Sequence, residues 1–185
     1  LKARIKLIYL LSFLIAIGIF FSGCSHGEEK DCKKSFLTIA LTSNYNDRYT
    51  NWLAETEQEP PESLDSSEAA TYLESARQQA VDDYYQALRS YVTDDYYDKM
   101  VQNRAVQWVD RYASDNGVSF CPTAFTFAEY SSSDDGTTYT FTATLDVTGG
   151  SETSATVGGQ ITVQGSGDAA RVSNAYFSQS GIVLN

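Results

Sequence analysis

The sequence predicts an α+β fold in which helices pack on a curved four-stranded antiparallel sheet. Two observations carry this. Apolar residues recur at steps of three and four as far as Asn116-Gly117, and beyond that point they alternate strictly with polar ones. The alternating half is one-sided, so its greasy face needs the helices as a cover. A third observation sets what lies outside the fold. Lys2, Arg4 and Lys6 precede an almost unbroken apolar run from Leu7 to Phe21, the pattern of an export signal.

That leader ends in Phe21-Ser22-Gly23-Cys24, which resembles the lipobox of bacterial lipoproteins. The resemblance implies a signal peptide over residues 1–23, cut before Cys24, with lipid carried on Cys24. The apolar run is shorter than the ~20 residues a spanning helix needs, so a plain membrane anchor ranks second. The expected location is the extracytoplasmic side of a cell membrane, held there by lipid. Residues 24–34 are polar and charged, the composition of a solvated tether. Residues 35–185 then make one domain.

In that domain Leu37, Leu41, Tyr45, Tyr49, Trp52 and Leu53 keep helical spacing. The turn-formers Ser43-Asn44-Tyr45-Asn46-Asp47 split them into two short helices. An acidic loop follows over 55–67, where Pro60-Pro61 stops any helix. Asp65-Ser66-Ser67-Glu68 is a capping-box start. The stripe after it runs through Ala69, Leu73, Ala76, Ala80, Tyr84, Ala87, Leu88 and Tyr91. Thr93 caps the next helix, with Asp94 and Asp95 where the dipole favours negative charge. Its apolar face runs unbroken from Tyr97 through Val101, Ala105, Trp108 and Val109 to Tyr112, and Asn116-Gly117 stops it. The strands are expected near 119–130, 138–147, 155–164 and 171–177. Gly149-Gly150-Ser151 and Gly165-Ser166-Gly167-Asp168 form turns between them, giving a meander of four.

Charge and composition narrow the function. The formal charge is −11, and losing a leader with three basic and no acidic residues takes it to −14. So acidic a surface repels nucleic acid and anionic headgroups. The single histidine, His26, lies beside Cys24 and outside the domain. That removes histidine as a general base and closes the Ser-His-Asp and Cys-His routes, along with His/Cys metal sites. No cofactor is implied. Cys32 and Cys121 are a candidate disulfide in an exported protein. The alternative is Cys121 as a small buried residue beside Phe120, with Cys32 loose in the tether.

Three constellations invite a functional reading. Asp82-Asp83-Tyr84-Tyr85 recurs as Asp94-Asp95-Tyr96-Tyr97; a carboxylate–phenol site competes there with an ordinary amphipathic face, and the ordinary face is preferred. Ser133-Asp134-Asp135-Gly136 lacks the alternating ligands of a calcium loop and reads as a hairpin turn. Thr138, Thr140, Thr142 and Thr144, with Thr156 and Thr162 on the neighbouring strand, make a polar sheet face. Threonine suits an ordinary solvated strand, yet this is the natural docking face if a protein partner exists.

The order of elements resembles the nuclear-transport-factor-like (cystatin-like, SnoaL-like) cone. Tyr84-Tyr85-Gln86-Ala87-Leu88 leading into Tyr91-Val92-Thr93-Asp94-Asp95-Tyr96-Tyr97, and four alternating strands ending near Val172-Ser173-Asn174-Ala175-Tyr176, carry the resemblance. It implies a sheet wrapped round the helices and an apolar pocket between them. A weaker resemblance extends to extracytoplasmic scaffold domains of conjugative-transfer and type IV secretion systems. The expectation is a non-enzymatic interaction or scaffold module assembling with subunits of such an apparatus. The alternative is a lipoprotein binding a small hydrophobic ligand, and a carboxylate-dependent enzyme ranks last.

Overall fold

The computed structural model describes residues 31–44, 48–178 and 182–184. The leader, Cys24 and His26 lie outside them. The described chain is α+β: five α-helices and an open, antiparallel, six-stranded sheet. The helices are α1 (Cys32–Leu41), α2 (Arg48–Thr56), α3 (Ser66–Arg89), α4 (Asp94–Gln102) and α5 (Gln107–Asn116). The strands are β1 (Ser43–Asn44), β2 (Ser119–Ser133), β3 (Gly136–Thr148), β4 (Ser154–Gln164), β5 (Arg171–Phe177) and β6 (Val183–Leu184).

The expected meander stands as β2-β3-β4-β5, but the sheet is larger than four strands. β1 adds to the outer edge of β2 through Ser43 and Asn44, and β6 pairs with the start of β4. Two-residue strands are too short to show a period, and Ser43-Asn44 reads as a turn. The connection expected from Ser131 to Gly136 is mostly strand. Only Asp134 and Asp135 turn between the paired Ser133 and Gly136, which confirms a hairpin there.

α1 begins at Cys32, inside the stretch read as tether, because Asp31 caps it by accepting from the Lys34 N–H. The capping box of α3 is complete. Asp65 accepts from the Ser67 and Glu68 N–H groups while the Glu68 carboxylate accepts from the Asp65 N–H. The first half of α3 runs clear of the sheet, so burial begins at Ala80 and continues through Tyr84, Tyr85 and Leu88. Ala87, expected on the buried stripe, is exposed.

The long helix expected from Thr93 is broken in two. Arg104 and Val106 take φ of 50° and 69°, and the Ala105 N–H donates to the Met100 carbonyl at 2.8 Å. A β-branched residue in the left-handed region costs on the order of 1–3 kcal/mol. Complete burial of the Val106 side chain offsets that cost. The break re-aims α5, so that Val109, Asp110 and Ala113 all point inward. Gly117 then ends α5 at φ 64°.

The core lies between α1, α3, α4 and α5 and the inner sheet face. Phe36, Leu37, Leu41, Tyr84, Leu88 and Met100 meet Phe141, Ala143, Leu145, Val157, Ile161 and Val172. Gly159 permits the closest sheet approach. A Cβ there would sit 2.1 Å from the Tyr176 carbonyl oxygen and 2.8 Å from the Phe141 ring.

Candidate functional site

The most developed polar constellation is one the sequence reading missed. Asp110 on α5 is 2% exposed, and donors from three other elements converge on its carboxylate. The Ser43 hydroxyl of β1 donates to Oδ1 at 2.5 Å. From α2, Arg48 Nε donates to Oδ2 at 2.9 Å, and Nη2 lies 2.8 Å from the same oxygen as an ion-pair contact outside hydrogen-bond alignment. From α3, the Tyr84 hydroxyl donates to Oδ2 in a short bond. The Arg48 guanidinium also stands 4.7 Å from the centre of the Tyr84 ring.

An unpaired carboxylate at this depth would be strongly disfavoured. Charge, hydroxyl and phenol together make it tolerable. Burial first, and then the Asp110 charge, push the Tyr84 phenol far above its ordinary range, so it stays a donor at neutral pH. Tyr85 beside it is raised as well, again chiefly by burial. Both Asp110 oxygens accept from donors that belong to the fold itself, Oδ1 from Ser43 and Oδ2 from Arg48 and Tyr84. This is the chemistry of a clasp.

The clasp forms the floor of a cavity of about 630 Å³ walled by α1, α2 and α3. Thr38, Thr42, Asn51, Glu55 and Asp83 bring polar groups to its wall, and Ile39 and Trp52 bring apolar surface. A smaller cavity of about 230 Å³ lies on another side of Trp52, bordered by Arg77, Tyr85, Val101 and Arg104. Both lie around α2, a helix with no buried residue of its own. Core side chains from α1, α3, α4 and α5 pack against the inner face of the sheet.

The threonines expected to share a face do so. Thr138 pairs with Thr162 and Thr144 with Thr156 across β3 and β4, and the Thr138 and Thr162 hydroxyls are 2.9 Å apart. Thr140 and Thr142 continue the row between them, beside Ala128 and Thr126 of β2. Thr142 is exposed, and the other five are half-buried by one another and their neighbours. Facing residues Gly158 and Gln160 keep the centre of this surface uncharged, and Asp146 is the first charge along β3.

The repeated Asp-Asp-Tyr-Tyr blocks do not form a paired site. Asp82, Asp83, Asp94 and Asp95 are exposed at the helix surface, whereas Tyr84, Tyr85 and Tyr96 are core. Of the four aspartates, Asp83 lines the larger cavity. Cys32 and Cys121 are both free thiols, so the bridge is not formed, and the alternative is inverted too. Cys32 is buried on α1, where burial and then Asp31 raise its thiol pKa; Cys121 is exposed on β2. Among the described residues no three His, Cys, Asp or Glu side chains converge on a metal-sized site. The signal that would have found Asp110 was its place next to Val109 and three residues before Ala113, on the apolar side of a helix. Arg48 left no comparable mark.

No protein-family model matches the chain, and no curated protein matches it. Among solved structures, it is similar to the NMR solution structure of TraH, a candidate transfer protein from the Gram-positive conjugative plasmid pIP501. The identity is 13% over 85% of this chain and 97% of that one, with a TM-score of 0.40. A likeness at that level leaves function to the residues themselves.

Proposed function

We propose that this protein is a lipid-tethered, extracytoplasmic interaction module without enzymatic activity, and that it docks other subunits of a membrane assembly on its outer sheet face. The observation that carries this is the uncharged threonine surface of β3 and β4. On a chain of net charge −11, it is the broad surface that a partner can cover without desolvating a carboxylate. The tether belongs to the same reading, with Cys24 as the lipidated residue. A cystatin-like wrap of the sheet and a place in a conjugative-transfer or secretion apparatus are its finer parts, and they rest on the sequence resemblance.

Two features weigh against the other readings. Asp110 is committed to three donors inside the fold, which disfavours carboxylate catalysis. The larger cavity carries Arg48, Asn51, Glu55 and Asp83 on its wall, a poor match for a small hydrophobic ligand.

The test is capture of the full chain from its native membrane, in parallel with a Thr140→Lys, Thr142→Lys variant. Recovery of defined transfer or secretion subunits with the parent, and their loss with the variant, supports the reading. Equal recovery with both, or recovery of the chain alone, sinks it. Labelling with a fatty-acid analogue tests the tether separately: Cys24→Ala must abolish incorporation.

A further inference from the structure

The long strand β2 is paired along one side by β3, whereas β1 meets its other side only at Ser119 and Phe120. From Cys121 to Ser133 no other described strand lies on that edge. A row of open N–H and C=O groups is a template for another strand, and proteins usually blunt it with charge, proline or bulges. Here register shifts between Pro122 and Ala124 and between Glu129 and Ser131 bracket a regular run of six residues. Five of them, Ala124-Phe125-Thr126-Phe127-Ala128, read identically in both directions and carry no charge.

We infer that a second copy of this chain pairs antiparallel with this edge, about a two-fold axis through Thr126, joining two sheets into one. Antiparallel pairing of a strand with itself is isologous and closes on itself. A palindrome makes each cross-strand pair complementary in that arrangement. Thr126 meets Thr126 of the second copy, Phe125 meets Phe127, and Ala124 meets Ala128. Glu129 falls opposite Thr123 instead of its own counterpart, so no like charges meet at the seam. On the inner face, Phe125 and Phe127 already stack with ring centres 6.2 Å apart. Both are only half-buried, and the second copy would extend that stack across the axis. Lys33 Nζ, paired with the Asp31 carboxylate at 2.9 Å, stands 5.0 Å above the Phe127 ring, so the ion pair nearest the seam is neutral overall. On the outer face, Thr126 abuts Thr142, so pairing would join two threonine surfaces. A strand from an unrelated protein would have no use for the palindrome, which is why the second copy is the occupant. The inference stands without the membrane-assembly reading, since it concerns the edge and not the face.

The test uses the full chain in detergent. Sedimentation is expected to give a protein mass of two chains. Thr126→Lys, which sets like charges against each other at the axis, is expected to weaken association by roughly tenfold or more while the melting temperature of the monomer holds. Trapping separates this edge from other contacts and from chance co-occupancy of a micelle. In a Cys121→Ser background, Thr126→Cys should form a disulfide-linked dimer, and Thr142→Cys, one strand further in, should not. A monomer at the highest soluble concentration overturns the inference. So does a dimer indifferent to Thr126→Lys, or trapping that is equal at the two positions.

Discussion

The helical side and the sheet side of this protein use the same polar chemistry to opposite ends. Around Asp110, hydroxyl, phenol and guanidinium are withdrawn from water and spent on one another, tying β1, α2, α3 and α5 together. On the outer face of β3 and β4, threonines lie in rows, Thr142 exposed and the Thr138 and Thr162 hydroxyls bonded to each other. The polar groups that hold this fold are largely buried and bonded to one another around a single ion pair. The threonine hydroxyls are shallower and neutral. The buried carboxylate thus sits where it ties four elements together, and the threonine hydroxyls sit on one face of a single sheet.

The sharpest way to break this contrast is to remove Asp110. Asp110→Ala leaves Arg48 facing a depleted, largely buried site, and loss of one partner of such a pair costs about 3–5 kcal/mol. Urea unfolding should show that loss, and adding Arg48→Met should recover part of it because the orphaned charge goes too. A cost under about 1 kcal/mol would mean that α2 is held mainly by Trp52 and its neighbours. Alkaline pH probes the same side through the phenols. Burial pushes the Tyr96 phenol up from its ordinary value of 10.0 to about 12. Because the folded pKa is the higher one, this stabilisation is complete below pH ~10 and is lost as pH rises through ~12. For Tyr96 alone it amounts to roughly 2–3 kcal/mol. Tyr84 and Tyr85 are shifted in the same direction and steepen the fall. Stability that stays flat between pH 9 and 12 in unfolding titrations would contradict the burial of these rings.

The two sides also differed in how openly the sequence announced them. The threonine face could be read directly, because a period of two assigns every side chain of a strand to one face or the other. The capping box at Asp65 was legible for a similar reason: both halves of its bonding lie within four residues. The clasp was not. Ser43, Arg48, Tyr84 and Asp110 are brought together by tertiary packing, and no local spacing links them. The break at Arg104–Val106 hid it further, since helical periodicity ran on through a junction whose left-handed residues leave no mark in a hydrophobic pattern. Ser43-Asn44 was misread because turn-formers and a two-residue strand look alike. Cys32 looked loose because its polar neighbours, Asp31 and Lys33, outweighed a single buried thiol.

Between the two sides lies the sheet itself, and Gly159 tests how tightly it is built. Gly159→Ala drives a methyl group against the Tyr176 carbonyl and the Phe141 ring, an overpacking that costs about 1–3 kcal/mol. The loss should be seen as a lower melting temperature. Amide exchange should quicken first in β5, which the clash pushes away from β4. Gly158→Ala, where the nearest atom is the Phe141 carbonyl oxygen at 3.7 Å, serves as the control and should change little.

The smallest effect on stability is expected where the effect on binding is greatest. Thr142 is exposed at the middle of the outer face, between Thr126 and Gly158, and no core packing depends on its hydroxyl. Thr142→Ala should move stability by no more than about 0.5 kcal/mol, the usual range for a surface change away from special features. Thr142→Lys should be nearly as mild for the fold, since the longer side chain has solvent to enter. At a docked interface, however, the same lysine must bury a charge without a partner, and recovery of associated subunits should collapse. Paired melting curves and capture yields from the two variants therefore separate a face that recognises from a face that is merely wet. If Thr142→Lys keeps both its stability and its partners, docking belongs elsewhere on the molecule, and the threonine rows are simply the residues that fit a pleated, solvated sheet.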